Sequence, residues 1–245
     1  MACSRCGCAA CAGGGDARRP SYGRRLERRG DVRRFFSLPA VRGVAAQRGV
    51  RGDLLEELER VVALEWEQFD AVLGMNGRAG CQDDLRRFSA CRCAQYLAFP
   101  HGLIPRVLAE LEQAELGGRN LVEEKYARMM AATDPAEFNR TWANALPLTS
   151  PVKRGALAQL RELLAPALAQ AARDLPQAHR HARPDVSSAG TVSALDYFLA
   201  ELEGYSLSTI FYLRDALARP GGGGNPIEMS YVLAARLLEA TEVGA

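Results

Sequence analysis

The chain has 245 residues, of which 48% are hydrophobic and 24% charged, with a net charge of +2. This is an ordinary globular composition, long enough for one sizeable domain or two small ones. No apolar run approaches the roughly 20 residues that span a bilayer, so no transmembrane segment is expected and the chain reads as cytoplasmic. The balance of charge conceals a split: residues 1–52 hold twelve arginines against Asp16, Glu27 and Asp31, whereas residues 53–245 hold 19 basic and 26 acidic groups. An acidic body lacks the basic face of a nucleic-acid reader, and sequence-specific nucleic-acid binding is not expected.

The first segment, 1–52, reads as a flexible arm, Cys-rich and then Arg-rich. Cys3, Cys6, Cys8 and Cys11 form C-x2-C-x-C-x2-C. Zinc sites of two C-x2-C pairs normally place a dozen or more residues between the pairs so that the chain can wrap the ion. Here Gly7 alone separates them, a crowding that suits copper(I) or another soft metal ion better than tetrahedral zinc. The plainer reading is a disordered tail, in keeping with the arginine block that follows. An uninterrupted apolar stretch is missing, which argues against a secretory signal. Pro39 and Arg42 interrupt the region that a twin-arginine signal at Arg33-Arg34 would need, and an arginine-rich transit peptide fits somewhat better.

From Asp53 onward the apolar spacing is helical. Leu54, Leu55, Leu58, Val61, Val62, Trp66 and Phe69 trace a broad stripe, the mark of a helix with one buried face. Start signals are clear at Asn120, Asp134-Pro135, Ser150-Pro151 and Asn225-Pro226. Gly117-Gly118 and Gly221 to Gly224 end the helices before two of them. Pro166 is expected to kink or split the long helix that Ser150 opens. Asn120-Leu-Val-Glu123 to Tyr126 pairs with Asn225-Pro-Ile-Glu228 to Tyr231 at an offset of 105 residues, each after a glycine stretch and a leucine-rich helix. The expectation is a single all-α, bundle-like domain over 53–245 with about eight or nine helices, built as an internal duplication with halves 53–149 and 150–245. Residues 175–190 join the halves.

The densest group of reactive side chains lies where the helix ending near Val72 turns into the next: Asn76, Arg78, Cys81, Gln82, Asp83 and Asp84, with Glu65 on the incoming helix able to face the same space. An arginine here can clamp a carboxylate or phosphate, and carboxylates at a helix start stay ionised beside the dipole. The structural alternative is that Asp83 and Asp84 pair with Arg87 or cap the helix. Cys81, Cys91 and Cys93 read as small core residues. His179-x-His181 reads as solvated, without a carboxylate partner at metal spacing, and Tyr126 and Tyr231 read as packing residues.

Leu64-Glu-Trp-Glu-Gln-Phe69, Asn76-Gly-Arg-Ala-Gly-Cys-Gln-Asp-Asp84 and Gly118-Arg-Asn-Leu-Val-Glu-Glu-Lys-Tyr-Ala-Arg-Met-Met130 resemble the bacterial domain-of-unknown-function family 4125, most closely over 54–135 and more loosely to about 240. The resemblance implies a helical, often anaerobe-associated bacterial protein whose hallmark is the polar corner, and implies no activity. The second half departs from the pattern, with Gly224-Asn225-Pro226 where Arg-Asn-Leu is expected. The leading expectation is recognition of a small polar or anionic ligand, with Asn76, Arg78 and Gln82 as binders and Asp83 and Asp84 as metal or cation partners. The alternatives are a helical module that docks a protein partner, and soft-metal binding by the N-terminal cysteines.

Overall fold

The computed structural model describes residues 22–72, 78–188, 190–219 and 224–242. Cys3, Cys6, Cys8, Cys11 and Asn76 lie outside them, and with them the soft-metal reading of the arm. Among the described residues there are twelve α-helices and no strand: α1 (Tyr22–Ser37), α2 (Pro39–Gln47), α3 (Asp53–Asp70), α4 (Leu85–Ala98), α5 (Leu103–Leu116), α6 (Leu121–Thr133), α7 (Pro135–Thr141), α8 (Pro151–Asp174), α9 (Pro176–Arg180), α10 (Ala194–Glu203), α11 (Leu207–Leu217) and α12 (Pro226–Glu242). A single 3-10 turn, Gly80–Asp83, precedes α4. No helix among the described residues is long and apolar enough to cross a membrane.

The count exceeds the expected eight or nine because Pro176 opens a short helix, α9, within the 175–190 connection, and because the arm itself folds. The boundary at residue 52 is therefore corrected: α1 and α2 are part of the body. Val32, Phe35, Phe36, Val41, Val44 and Val50 are buried in the common core. Two arginines of this segment reach acidic partners of the body. Arg28 pairs with Asp70 at 3.0 Å and Arg29 pairs with Glu67.

Most helices start as their sequences direct. Asp84, Asn120, Asp134, Ser150, Ser193 and Ser206 each accept a hydrogen bond from the backbone amide three residues on, satisfying donors that would otherwise be orphaned. Pro166 does not split α8, which runs for 24 residues. Its ring lies on the exposed side, where water can satisfy the carbonyl that a proline leaves without a donor.

The likeness of the two halves extends well beyond the matching caps. At the offset of 105, α3 corresponds to α8, α4 to α10, α5 to α11 and α6 to α12. The packing repeats too: α3 lies on α5 as α8 lies on α11, while α4 packs on α12 as α10 packs on α6. Each half thus inserts its second helix against the fourth helix of the other. The halves interlock into one core, and neither forms a separate body. The asparagine caps are equivalent in detail. Asn120 Nδ2 donates to the Gln68 carbonyl of α3 at 2.8 Å, and Asn225 Nδ2 donates to the Ala167 carbonyl of α8 at 2.7 Å.

Candidate functional site

The polar corner is built around Asp70, the last residue of α3. Its side chain is almost fully buried and receives Arg78 Nη2 at 2.6 Å and Arg28 Nη2 at 3.0 Å. Burial works to raise the Asp70 carboxyl, but the hydrogen bond and charge of Arg78, with those of Arg28, hold it below the usual range. Arg78 also donates from Nε to Asp83 Oδ1 at 2.9 Å, from Nη1 to the Asp70 carbonyl at 3.2 Å, and to the Gln82 carbonyl. Gln82 is buried and closes the end of α3: its Nε2 donates to the carbonyls of Phe69 (2.6 Å) and Val72 (2.9 Å), and its Oε1 accepts from Ala79 N at 2.7 Å. Asp84 caps α4 through Arg87 N at 2.9 Å.

The structure therefore brings Arg78, Gln82 and Asp83 together as expected, and gives the arginine its carboxylates from within the chain. Among the described residues no group of three or more His, Cys, Asp or Glu side chains is placed to hold a metal ion. Cys93 is buried, and burial pushes its thiol up to about 12, which leaves it a packing residue.

Glu65 lies elsewhere. One turn before the corner it enters a buried network that joins α3, α4, α6 and α10. Arg92 Nε donates to Glu65 Oε2 at 2.7 Å, and Arg92 Nη1 and Nη2 donate to Glu201 Oε2 (3.1 Å) and Oε1 (2.9 Å). Tyr96 Oη donates to Glu65 Oε1 at 2.6 Å, Gln95 Oε1 accepts from Arg92 Nη1 at 3.0 Å, and Lys125 Nζ donates to Glu201 Oε2 at 2.9 Å. Burial alone would raise the Glu201 carboxyl; Arg92 and Lys125 reverse this and hold it well below the usual carboxylate range. Two cations and two carboxylates balance, and the donors and acceptors are matched, as a buried ionic cluster requires. Arg92, Lys125 and Glu201 were not picked out from the sequence, where each is one more charge on an amphipathic helix.

Beside this balanced cluster sits a cation without an anion. Lys125 Nζ lies 3.9 Å from the centroid of the Tyr197 ring, and Arg183 Cζ lies 4.1 Å from the same centroid. Arg183 is only 8% exposed. Its Nε is shielded from solvent without an acceptor, and among the described residues the side chain makes no hydrogen bond or ion pair. A second cluster lies in the same connection: His179 Nε2 stands 3.2 Å from Asp185 Oδ1, and the His179 ring rests against Tyr231 of α12. The histidine read as solvated thus has a carboxylate partner, brought back to it by the turn after α9.

A family model described as "protein of unknown function" (DUF4125) matches residues 56–236. The chain belongs to that family. No curated protein and no solved structure matches it. The family match takes in both halves, and so spans the first corner, the buried network, Arg183 and Tyr231; α1 and α2 precede it. Within the matched region the internal offset sets the two corners side by side. Arg183 stands 105 residues after Arg78, but Leu175 stands at the place of Asp70 and Ser188 at the place of Asp83. The second half keeps the arginine and lacks both carboxylates. That offset was the signal in the sequence by which Arg183 could have been found.

Proposed function

We propose that this domain binds a small anionic ligand, a carboxylate or phosphate, and that the anion is received by Arg183 at the second corner beside the buried network. The observation that carries the reading is the nearly buried Arg183 side chain, whose Nε is shielded and has no acceptor. An isolated charge taken from water costs several kcal/mol, and one cation–π contact returns about 0.5–2 kcal/mol. In the first half the same position is neutralised by Asp70 and Asp83; in the second an anion from outside supplies what Leu175 and Ser188 cannot. Guanidinium suits this task, since its planar fork matches carboxylate and phosphate oxygens bidentately. Lys125, close on the same Tyr197 ring, is already paired with Glu201, which leaves Arg183 as the cation for the anion. The buried thiol of Cys93 is in keeping with the reducing cytoplasm, where we place the protein.

Isothermal titration and thermal melting of the whole chain with inorganic phosphate, sulfate, acetate and succinate test this directly. A ligand at 100 times its Kd adds about 2.7 kcal/mol, which raises Tm by roughly 5–10 °C in a body of this size. Arg183→Met keeps the volume and removes the charge. It should abolish the response to anions while leaving the ligand-free protein as stable as the wild type or more so. Arg78→Met should lower stability and spare binding. A wild type indifferent to all four anions, or an Arg183→Met protein that binds them unchanged, overturns the reading.

A further inference from the structure

His179 and Tyr231 face each other across the connection that also carries Arg183, with separate atoms and a separate requirement. His179 lies on α9, which Pro176 opens, and the chain then doubles back: Ala182 N donates to the His179 carbonyl at 2.9 Å. This return brings Asp185 Oδ1 to 3.2 Å from His179 Nε2. The histidine ring packs on the Tyr231 ring of α12, with centroids 6.4 Å apart and planes tilted by 56°.

A carboxylate only accepts, so the ring hydrogen is drawn to Nε2. In the neutral imidazole Nδ1 is then left with a lone pair and no hydrogen. That atom is shielded from solvent and has no hydrogen-bond partner. Tyr231 Oη is also shielded and has none. Burial, with the charge of Asp185 second, pushes the Tyr231 phenol up to about 12, so at neutral pH it is an O–H in want of an acceptor. The two atoms do not hydrogen-bond to each other. Whatever satisfies both must donate to Nδ1 and accept from Oη. A carboxylate or phosphate oxygen only accepts, and an ammonium only donates. The nearby charge of Asp185 also repels an anion. A hydroxyl does both.

We propose that His179 Nδ1 and Tyr231 Oη share a hydroxyl group, that of a water or of an alcohol, with Nδ1 as its proton acceptor. When the proton passes to Nδ1, the O–H bonding pair stays on oxygen, where the Tyr231 O–H stabilises it, and the imidazolium formed is held by the Asp185 carboxylate. Asp185 is thus a positioning residue: it sets the tautomer and orients the ring, as a carboxylate behind a histidine does in acid–base sites.

The chain has three histidines, His101, His179 and His181, so a 15N-histidine spectrum of the full-length protein is simple, and His179→Gln assigns the resonance of interest. The expected result is the Nε2–H tautomer for His179, with Asp185→Asn producing a mixture of tautomers. A crystal structure of the wild type should show an oxygen within hydrogen-bond distance of both Nδ1 and Oη. A lone oxygen identifies water, whereas density continuing into carbon, with a retained mass in native mass spectrometry, identifies an alcohol. Tyr231→Phe should keep the fold and lose that oxygen. A His179 Nδ1–H tautomer, the absence of an oxygen shared by Nδ1 and Oη, or an oxygen indifferent to Tyr231→Phe overturns the proposal. Arg183→Met should leave the His179 tautomer unchanged, so this site and the anion site fail separately.

Discussion

Arg78 and Arg183 hold matching places in the two halves of the chain, yet Arg78 meets Asp70 at 2.6 Å and Asp83 at 2.9 Å, whereas Arg183 meets only the ring of Tyr197, at 4.1 Å. The repeated helix order gives the chain two corners and one structural need. The first copy closes the end of α3 and consumes its arginine in doing so. The second ends α8 with Leu175 and a further short helix, and its arginine is released from that duty while remaining nearly buried.

If the missing carboxylates are what leave Arg183 open to a ligand, restoring one should close it. Ser188 stands where Asp83 stands in the first half and is exposed, so Ser188→Asp is tolerable to the fold. The new carboxylate competes from within the chain, and anion affinity should weaken by about tenfold, equivalent to about 1.4 kcal/mol. Titration calorimetry with the tightest anion reads this; an unchanged Kd would show that position 188 does not face Arg183.

The buried network makes a claim about acid. The carboxyls of Asp70 and Glu201 both lie below the ordinary range in the folded protein. The unfolded chain then binds their protons more tightly, and stability rises with pH wherever the unfolded state holds more protons. Their contribution is complete above the ordinary carboxylate value of about 4 and is lost as pH falls from there through the lower native values. Urea midpoints at pH 7, 5 and 3 should therefore drop steeply at the last step. Glu201→Gln should flatten that step while lowering stability at pH 7, where Arg92 and Lys125 lose their shared partner. An equal acid slope in the variant would mean that Glu201 is not ionised in the native state.

Arg92 is the hub of the same network, donating to both Glu65 and Glu201. Arg92→Met leaves two buried carboxylates facing each other with Lys125 as their remaining cation. Removing one partner from a buried ionic group costs about 3–5 kcal/mol, which corresponds to a fall in Tm of about 6–20 °C at 2–4 °C per kcal/mol. Glu65→Gln in the Arg92→Met background should recover part of that loss. A small effect of Arg92→Met alone would mean that water enters the cluster.

Local signals account for what the sequence made legible. Asn120, Asp134, Ser150 and Asn225 announce helix starts because a cap is chemistry between residues three apart. The offset of 105 is legible for the same reason, since each copy repeats its own caps. The network was not legible, because Glu65, Arg92, Lys125 and Glu201 come from four helices and each looks like a solvated charge on its own. The arm was misread through composition: the arginines of α1 obscured Val32, Phe35 and Phe36, which carry the helical spacing. At the corner the sequence shows Arg78, Gln82 and Asp83 close together, but it could not tell an arginine left without a carboxylate from one already paired with Asp70.

The equivalence of the two asparagine caps can be measured. Asn120 and Asn225 each hold a helix start and donate to a carbonyl of a neighbouring helix. Replacing either with Ala should cost about 1–2 kcal/mol. The sites belong to different helix pairs, α6 on α3 and α12 on α8, so the double variant should show the sum of the two within roughly 0.5 kcal/mol. A large loss at Asn120 with none at Asn225 would mean that the second copy of the junction has ceased to bear on stability.

The correction to the arm can be tested by a single side chain. Phe36 is 1% exposed and stacks edge-on with Phe35, ring centroids 5.4 Å apart, in the shared core. If residues before 53 were a solvated tail, Phe36→Ala would be neutral. As a core substitution it should cost about 3–5 kcal/mol, and denaturation should remain a single transition, because α1 lies directly on α3 and both halves interlock through the same core. Exchange of backbone amides reports the same relationship from another side. Amides of α1 after Arg29 should be protected on the time scale of those in α3, and Phe36→Ala should accelerate exchange in both helices together. Faster exchange confined to α1, with α3 untouched, would show that the helix rests on the body without contributing to its cooperative unit.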